Sequence, residues 1–169
     1  MRPVSAEVLI DAPRERVFDL ITDLSVRPKY TDHFLTEYRL TRIDPKGIGA
    51  AARFRLGNRG AWLDTQIRVA ERPHLIREEG LGGPQNRLPI RSVWELAAGA
   101  SPDSCEVTFT FWTEPTNIFD RIRNPLGRAG KLRRDWKRAL RRLKDVAESG
   151  DAAPAVQVAG LDRVPTGVR

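Results

Sequence analysis

The chain has a single cysteine, Cys105, in 169 residues. That excludes an internal disulfide framework and fits a reducing compartment. Only two histidines occur, His33 and His74, far apart in the chain and with no second ligand cluster near either. No metal or other cofactor is therefore expected. No run approaches the roughly 20 apolar residues that cross a bilayer. The N-terminal residues Met1 to Glu7 lack the continuous apolar stretch of a secretory signal, so a cytoplasmic location is expected. Also missing are a Gly-rich phosphate loop ending in Lys-Ser/Thr, a Gly-x-Ser-x-Gly elbow and a His-Glu-x-x-His pair. Without these, the commonest nucleotide, serine-hydrolase and zinc-protease chemistries lose their support.

What is present is a globular composition, 40% hydrophobic and 30% charged, in a length that suits one domain with a sizeable core. The charge is unevenly placed. Acidic and basic residues balance over 1–115, and the whole net charge of +7 lies in 116–148. Such an excess favours acidic partners in general without naming one.

Alternation marks an opening strand, with Val4, Ala6, Val8 and Ile10 on one side. Asp11-Ala12-Pro13-Arg14-Glu15 reads as a helix start, with Asp11 as cap and Val17, Phe18, Leu20 and Ile21 as the apolar side. A second short helical turn is expected over Leu24–His33, with Pro28 breaking it. Six strands follow at 34–44, 49–57, 61–71, 74–81, 87–97 and 104–114, separated by turn chemistry such as Asp44-Pro45-Lys46-Gly47 and Gly82-Gly83-Pro84. Short connections make them an antiparallel meander with one dry side, which needs a cover.

The cover comes last. A helical stretch over 116–125 is interrupted near Pro125 and Gly127, and a longer helix runs from about Arg128 to Glu148. On it Leu132, Trp136, Ala139, Leu140, Leu143, Val146 and Ala147 share an arc of about 120°, with Arg133, Arg134, Lys137, Arg138, Arg141, Arg142 and Lys144 opposite. Gly127 and Gly130 mark the break. Residues 1–149 are read as one domain and 150–169 as a flexible tail.

This order resembles the START/Bet v 1-like (SRPBCC) superfamily, which holds polyketide cyclases/dehydrases and lipid-transport proteins. The likeness rests on Val8-Leu9-Ile10-Asp11-Ala12-Pro13-Arg14-Glu15-Arg16-Val17-Phe18, on Val69 to Ile76, on Val93-Trp94-Glu95-Leu96 with Glu106 to Phe111, and on Arg138 to Lys144. It covers about residues 3–148; Ser101-Pro102-Asp103-Ser104-Cys105 departs from the family's usual Gly-x-Thr turn. The resemblance implies an α+β helix-grip fold: a curved antiparallel sheet of about seven strands around a long C-terminal helix, with two short helices after the first strand. It also implies an elongated apolar cavity between sheet and helix, used by most members for binding and by some for catalysis.

The leading expectation is binding, with transport as one use of it, of a hydrophobic small molecule such as a lipid, isoprenoid or polyketide. Phe54, Leu63, Ile67, Ile90, Trp94, Phe109, Phe111 and Trp136 would give apolar contact. Thr65 and Ser92 either anchor a polar group of the ligand or satisfy nearby backbone groups. The competing expectation is a metal-free cyclase/aromatase- or dehydratase-like enzyme, with Glu78, His33 and Tyr30 as catalytic candidates. Alternation puts Ile76 and Glu78 on one side of their strand and Arg77 and Glu79 on the other, without saying which is inside. Outward, Glu78 is one of several paired edge charges; inward, burial would raise its pKa and suit it to proton transfer. His33 and Tyr30 sit in the short helix that borders the family's cavity mouth, so a rim role competes with proton transfer. His74, in a turn after Pro73, reads as solvated. The basic helix face is a candidate for peripheral contact with an anionic membrane, behind plain solvation; a nucleic-acid partner is not expected, because no recognition motif accompanies the charge.

Overall fold

In a computed structural model, residues 3–58, 60–83, 86–114 and 126–157 are described, the last segment with side chains from residue 129 onward. The strands are β1 (Val4–Ile10), β2 (Leu35–Leu40), β3 (Ala51–Leu56), β4 (Trp62–Glu71), β5 (Leu75–Gly82), β6 (Leu88–Ala98) and β7 (Cys105–Thr113). They form one sheet in the order β1-β7-β6-β5-β4-β3-β2, antiparallel throughout. The two edge strands, β1 and β2, are consecutive in sequence. Helices α1 (Arg14–Thr22) and α2 (Pro28–Thr31) join them, and a long helix, α3 (Leu126–Ser149), follows β7. This is the helix-grip arrangement.

Register explains the dry side. Trp94 pairs with Ile76 on one neighbour and Phe109 on the other, Phe109 with Ala6, and Phe54 with Leu63. Because side chains alternate with period two, these pairings align one continuous apolar face. Register shifts between Thr36 and Arg39 and between Ile67 and Val69 bend the sheet. Gly80 sits at a close approach of strands: a Cβ there would lie 1.7 Å from the Asp64 carbonyl oxygen, so no side chain fits without moving β4.

Helix α3 closes the concave side. Trp136, Ala139, Leu140, Leu143 and Ala147 are buried, Leu132 and Val146 half-buried, and Arg133, Arg134, Lys137, Arg138 and Arg141 exposed. The apolar arc read from the sequence is therefore the packed one. Fully burying a leucine contributes about 1.5–3 kcal/mol, so Leu140 and Leu143 are main fastenings of the grip.

Three local expectations change. Pro28 begins α2 instead of breaking it, since a first-turn proline loses no helical hydrogen bond. Asp11 does not cap α1, whose N-cap is Pro13 with no side-chain cap bond. Instead the Asp11 carboxylate receives Lys144 Nζ at 3.0 Å, and its backbone N–H donates to Glu148 Oε1 at 2.8 Å, tying β1 to the end of α3. Gly127 and Gly130 lie inside α3, which starts at Leu126. The helical stretch expected over 116–125 lies outside the described residues. Beyond α3, the Ala155 and Val156 N–H groups donate to the Ser25 carbonyl, and Asp151 pairs with Lys29 at 2.5 Å. No described helix is long and apolar enough to cross a membrane.

Candidate ligand-binding cavity

Between the concave face and α3 lies a cavity of about 30 Å³, room for one or two waters. Its apolar wall comes from Leu35, Phe54, Leu56, Leu63, Ile90, Phe109, Phe111, Leu132 and Trp136, and its polar lining from Arg27, Thr65, Glu78, Ser92 and Arg91. Trp136 fills much of the space: its ring centroid is 3.8 Å from that of Phe109, 5.1 Å from Phe34 and 5.7 Å from Trp94. Cavities that enclose small organic ligands run to about 300–1,000 Å³, so a ligand must displace side chains, and Trp136 on α3 stands in its way.

The polar end is built around Glu78. β5 pairs Glu78 with Ser92 on β6 and with Ile67 on β4, which turns Glu78 inward and leaves Arg77 and Glu79 outside. Glu78 is 3% exposed and its carboxylate accepts four hydrogen bonds. Oε1 takes Arg27 Nη2 at 2.6 Å and Trp94 Nε1 at 2.9 Å. Oε2 takes Arg27 Nη1 at 2.8 Å and Thr65 Oγ1 at 3.0 Å. A two-pronged guanidinium–carboxylate contact of this kind is the strong form of an ion pair. Burial alone pushes the Glu78 carboxyl up. The Arg27 charge and the bonds from Arg27, Trp94 and Thr65 outweigh that, and hold it below the usual carboxylate value. The inward Glu78 is thus an anion fixed in place, where burial alone would have made it a poised acid.

Arg27 is 2% exposed, and although burial disfavours its charge, Glu78 holds it firmly protonated. Its Cζ lies 5.6 Å from the Trp94 ring centroid. One Nη2 hydrogen reaches the Ile21 carbonyl at 3.3 Å, while Nε has no partner among the described residues. Sequence reasoning missed Arg27 altogether. A signal did exist: a carboxylate in an apolar row cannot stay ionised without a buried cation, and Arg27 sits among Leu24, Val26 and Pro28.

The remaining candidates separate. Phe54, Leu63, Thr65, Ile90, Ser92, Phe109, Phe111 and Trp136 line the cavity together with Glu78. Ile67 and Trp94 are fully buried behind that lining. Thr65 spends its hydroxyl on Glu78, whereas Ser92 makes no side-chain hydrogen bond among the described residues. Tyr30 is fully buried, and its hydroxyl meets no partner in hydrogen-bond geometry among the described residues; burial raises its pKa, and the charge and close approach of the Arg27 guanidinium oppose this. His33 lies outside the lining, between α2 and α3. Its Nε2 contacts the Asp135 carbonyl at 3.1 Å and Arg142 Nη1 reaches its Nδ1 at 3.1 Å. Arg142 also pairs with Asp32. No group of metal-ligating side chains occurs among the described residues.

A curved sheet gripping a helix over a lined cavity defines a helix-grip protein of the SRPBCC type. The family model described as "Polyketide cyclase / dehydrase and lipid transport" matches residues 1–148, and the chain belongs to that family. Among solved structures, the KanY protein is similar at 25% identity and a TM-score of 0.67, over 86% of this chain and 97% of that one. The protein TTHA0849 from Thermus thermophilus is similar at 19% identity and a TM-score of 0.63, over 88% and 99%. Norcoclaurine synthase from Thalictrum flavum, solved with dopamine and hydroxybenzaldehyde, shares the fold at 11% identity and a TM-score of 0.65, over 88% and 87%. No match is found among the curated proteins.

Proposed function

We propose that the chain is a non-covalent binder of a hydrophobic small molecule (lipid, isoprenoid or polyketide-like) seated between the sheet and α3. The observation that carries this reading is the lining itself: an aromatic and aliphatic wall converging on a few polar groups at one end, the usual composition of a small-molecule site. Family membership supports it, because the family joins ligand carriers with cyclases. Binding is favoured over catalysis because all four acceptor positions of Glu78 are filled and His33 points between helices. Neither is free to take a substrate proton. A peripheral role on an anionic membrane is proposed for the basic face of α3, with solvation as its alternative. The test is native mass spectrometry of protein purified from its own host. A co-purifying hydrophobic molecule displaced by an environment-sensitive dye supports the reading. A protein that carries nothing and binds none of a panel of lipids and aromatic ketones overturns it.

A further inference from the structure

Four large apolar side chains stand open to solvent among the described residues, and two of them, Ile43 and Ile48, share one short loop. They are 79% and 68% exposed, although isoleucine is among the residues most often fully buried. A single exposed apolar side chain needs no explanation; this pair is set apart by how it is held. The loop spans residues 41–50 between β2 and β3, and its backbone is fastened on two sides. The Leu24 N–H donates to the Pro45 carbonyl and the Gly47 N–H to that of Thr22, which ties the loop to the end of α1. The Gly49 N–H donates to the Ile67 carbonyl at 2.9 Å and Gln66 Nε2 to the Gly49 carbonyl at 3.1 Å, which ties it to β4. The Lys46 N–H closes a turn onto Asp44 Oδ1 at 2.9 Å, and Lys46 Nζ meets the buried Asp23 at 3.0 Å. Ile43 and Ile48 therefore project from a braced support and fill no part of the core.

Arginines surround them. Arg42 lies in the loop, Arg39 just before it, and Arg68 follows Ile67 on β4. All three are exposed, with no hydrogen-bond or ion-pair partner among the described residues. Of the nearby acids, Asp23 and Asp19 are paired with Lys46 and Arg72. Asp44 and Glu71 oppose the three arginines without cancelling them, on a chain whose net charge is +7. Apolar side chains flanked by cations are the pattern that anchors a protein at an anionic membrane interface. A stable protein partner needs roughly 800 Å² on each side, which two prongs do not offer.

Resting on the peripheral membrane role proposed above but placing it on another surface, we infer that the 41–50 loop is a docking prong for an anionic phospholipid bilayer. Ile43 and Ile48 enter the acyl boundary, while Arg39, Arg42 and Arg68 meet headgroup phosphates. The cavity lining draws on Phe54 and Leu56 toward the opposite end of β3, so the prong is an anchor and not the door for the cavity's ligand.

Sedimentation of the full chain with two kinds of vesicle tests this: phosphatidylcholine alone, and phosphatidylcholine with phosphatidylglycerol in equal parts. The parent should bind the anionic vesicles at least tenfold better. The double variant Ile43→Ser, Ile48→Ser should lose at least tenfold in that affinity and keep the parent's urea midpoint, since neither side chain is packed. The double variant Arg134→Gln, Arg141→Gln on α3 should lose less. An environment-sensitive dye on Ile48→Cys, selective because Cys105 is buried, should shift to the blue with anionic vesicles. Undiminished binding by the isoleucine variant, or a larger loss in the α3 variant, overturns this inference and leaves the peripheral role standing. Equal binding of both vesicles overturns the choice of an anionic bilayer. A parent that binds neither overturns the peripheral role as well. A parent dimer that the isoleucine variant dissolves makes a second copy the occupant, and the inference falls.

Discussion

Trp94 Nε1 donates to the same Glu78 oxygen that accepts Arg27 Nη2, so a ring in the middle of the sheet and a guanidinium from the α1–α2 connection converge on one carboxylate atom. The contact joins β6, β5 and the helical connection at the polar end of the cavity. It makes Glu78 a structural keystone as well as part of the lining.

Removing one partner of this pair should cost far more than removing both. Arg27→Met leaves Glu78 buried without its countercharge, and loss of one member of a buried ion pair costs about 3–5 kcal/mol. The double variant Arg27→Met, Glu78→Met restores neutrality with similar volume and is expected to lose clearly less. Urea unfolding followed by tryptophan fluorescence measures both. A single variant as stable as the parent would show that the pair is not desolvated in solution.

Acid should dissolve the same contact. The Glu78 pKa is depressed in the folded chain, so the folded state binds fewer protons than the unfolded one. Its stabilising contribution is complete above the usual carboxylate value of 4.5 and is lost as pH falls through the lower folded value. Stability should therefore fall steeply below about pH 4.5 in the parent. In the double variant that part of the slope should be absent; an unchanged slope would assign it to other carboxylates.

His33 gives a second, milder dependence. Burial lowers its pKa, and Arg138 and Arg142 on α3 lower it further, against the Asp135 carbonyl and carboxylate, which raise it. Asp32 on the α2 side is engaged by Arg142. A depressed histidine pKa means the unfolded chain binds the extra proton first. Stability is lost as pH drops from above the usual 6.5 toward the folded value. Protonation would also put a hydrogen on Nδ1, where Arg142 now donates, and loosen α2 from α3. Hydrogen exchange of α3 amides at pH 7.5 and 5.5 should show faster opening at the lower pH in the parent but not in His33→Gln. Equal protection factors at both pH values, after correction for the slower intrinsic exchange in acid, would end this reading.

How far these features could be read from the sequence follows from what each depends on. The rows containing Phe54, Leu63, Trp94 and Phe109, and the arc from Leu132 to Ala147, are set by local periodicity, and both are packed as that periodicity implies. The direction of Glu78 was not legible, because period two gives two faces and only pairing with Ser92 and Ile67 chooses between them. Arg27 was legible only as a cation in an apolar stretch, and not as the partner of Glu78, because their contact spans 51 residues. Asp11 likewise looked like a cap by position, yet its partner Lys144 comes from the far end of the chain. Long-range polar pairs leave no periodic trace, and the cavity's chemistry is made of them.

Trp136 is the residue whose removal should separate packing from binding. It is 6% exposed and contacts the rings of Phe34, Trp94 and Phe109. Truncation of so large a buried ring costs about 3–5 kcal/mol, so Trp136→Ala is expected to lower stability by that order in chemical denaturation. Trp136→Leu keeps an apolar filler and should lose less. Both changes enlarge the space between α3 and the sheet, so 2-acetylnaphthalene should associate faster with Trp136→Leu than with the parent in stopped-flow fluorescence. If Trp136 is instead a contact that holds the ligand, dissociation will accelerate by a larger factor than association, and affinity will fall. The ratio of the two rate changes therefore reports whether this ring is the obstacle to ligand admission or a wall of the occupied site.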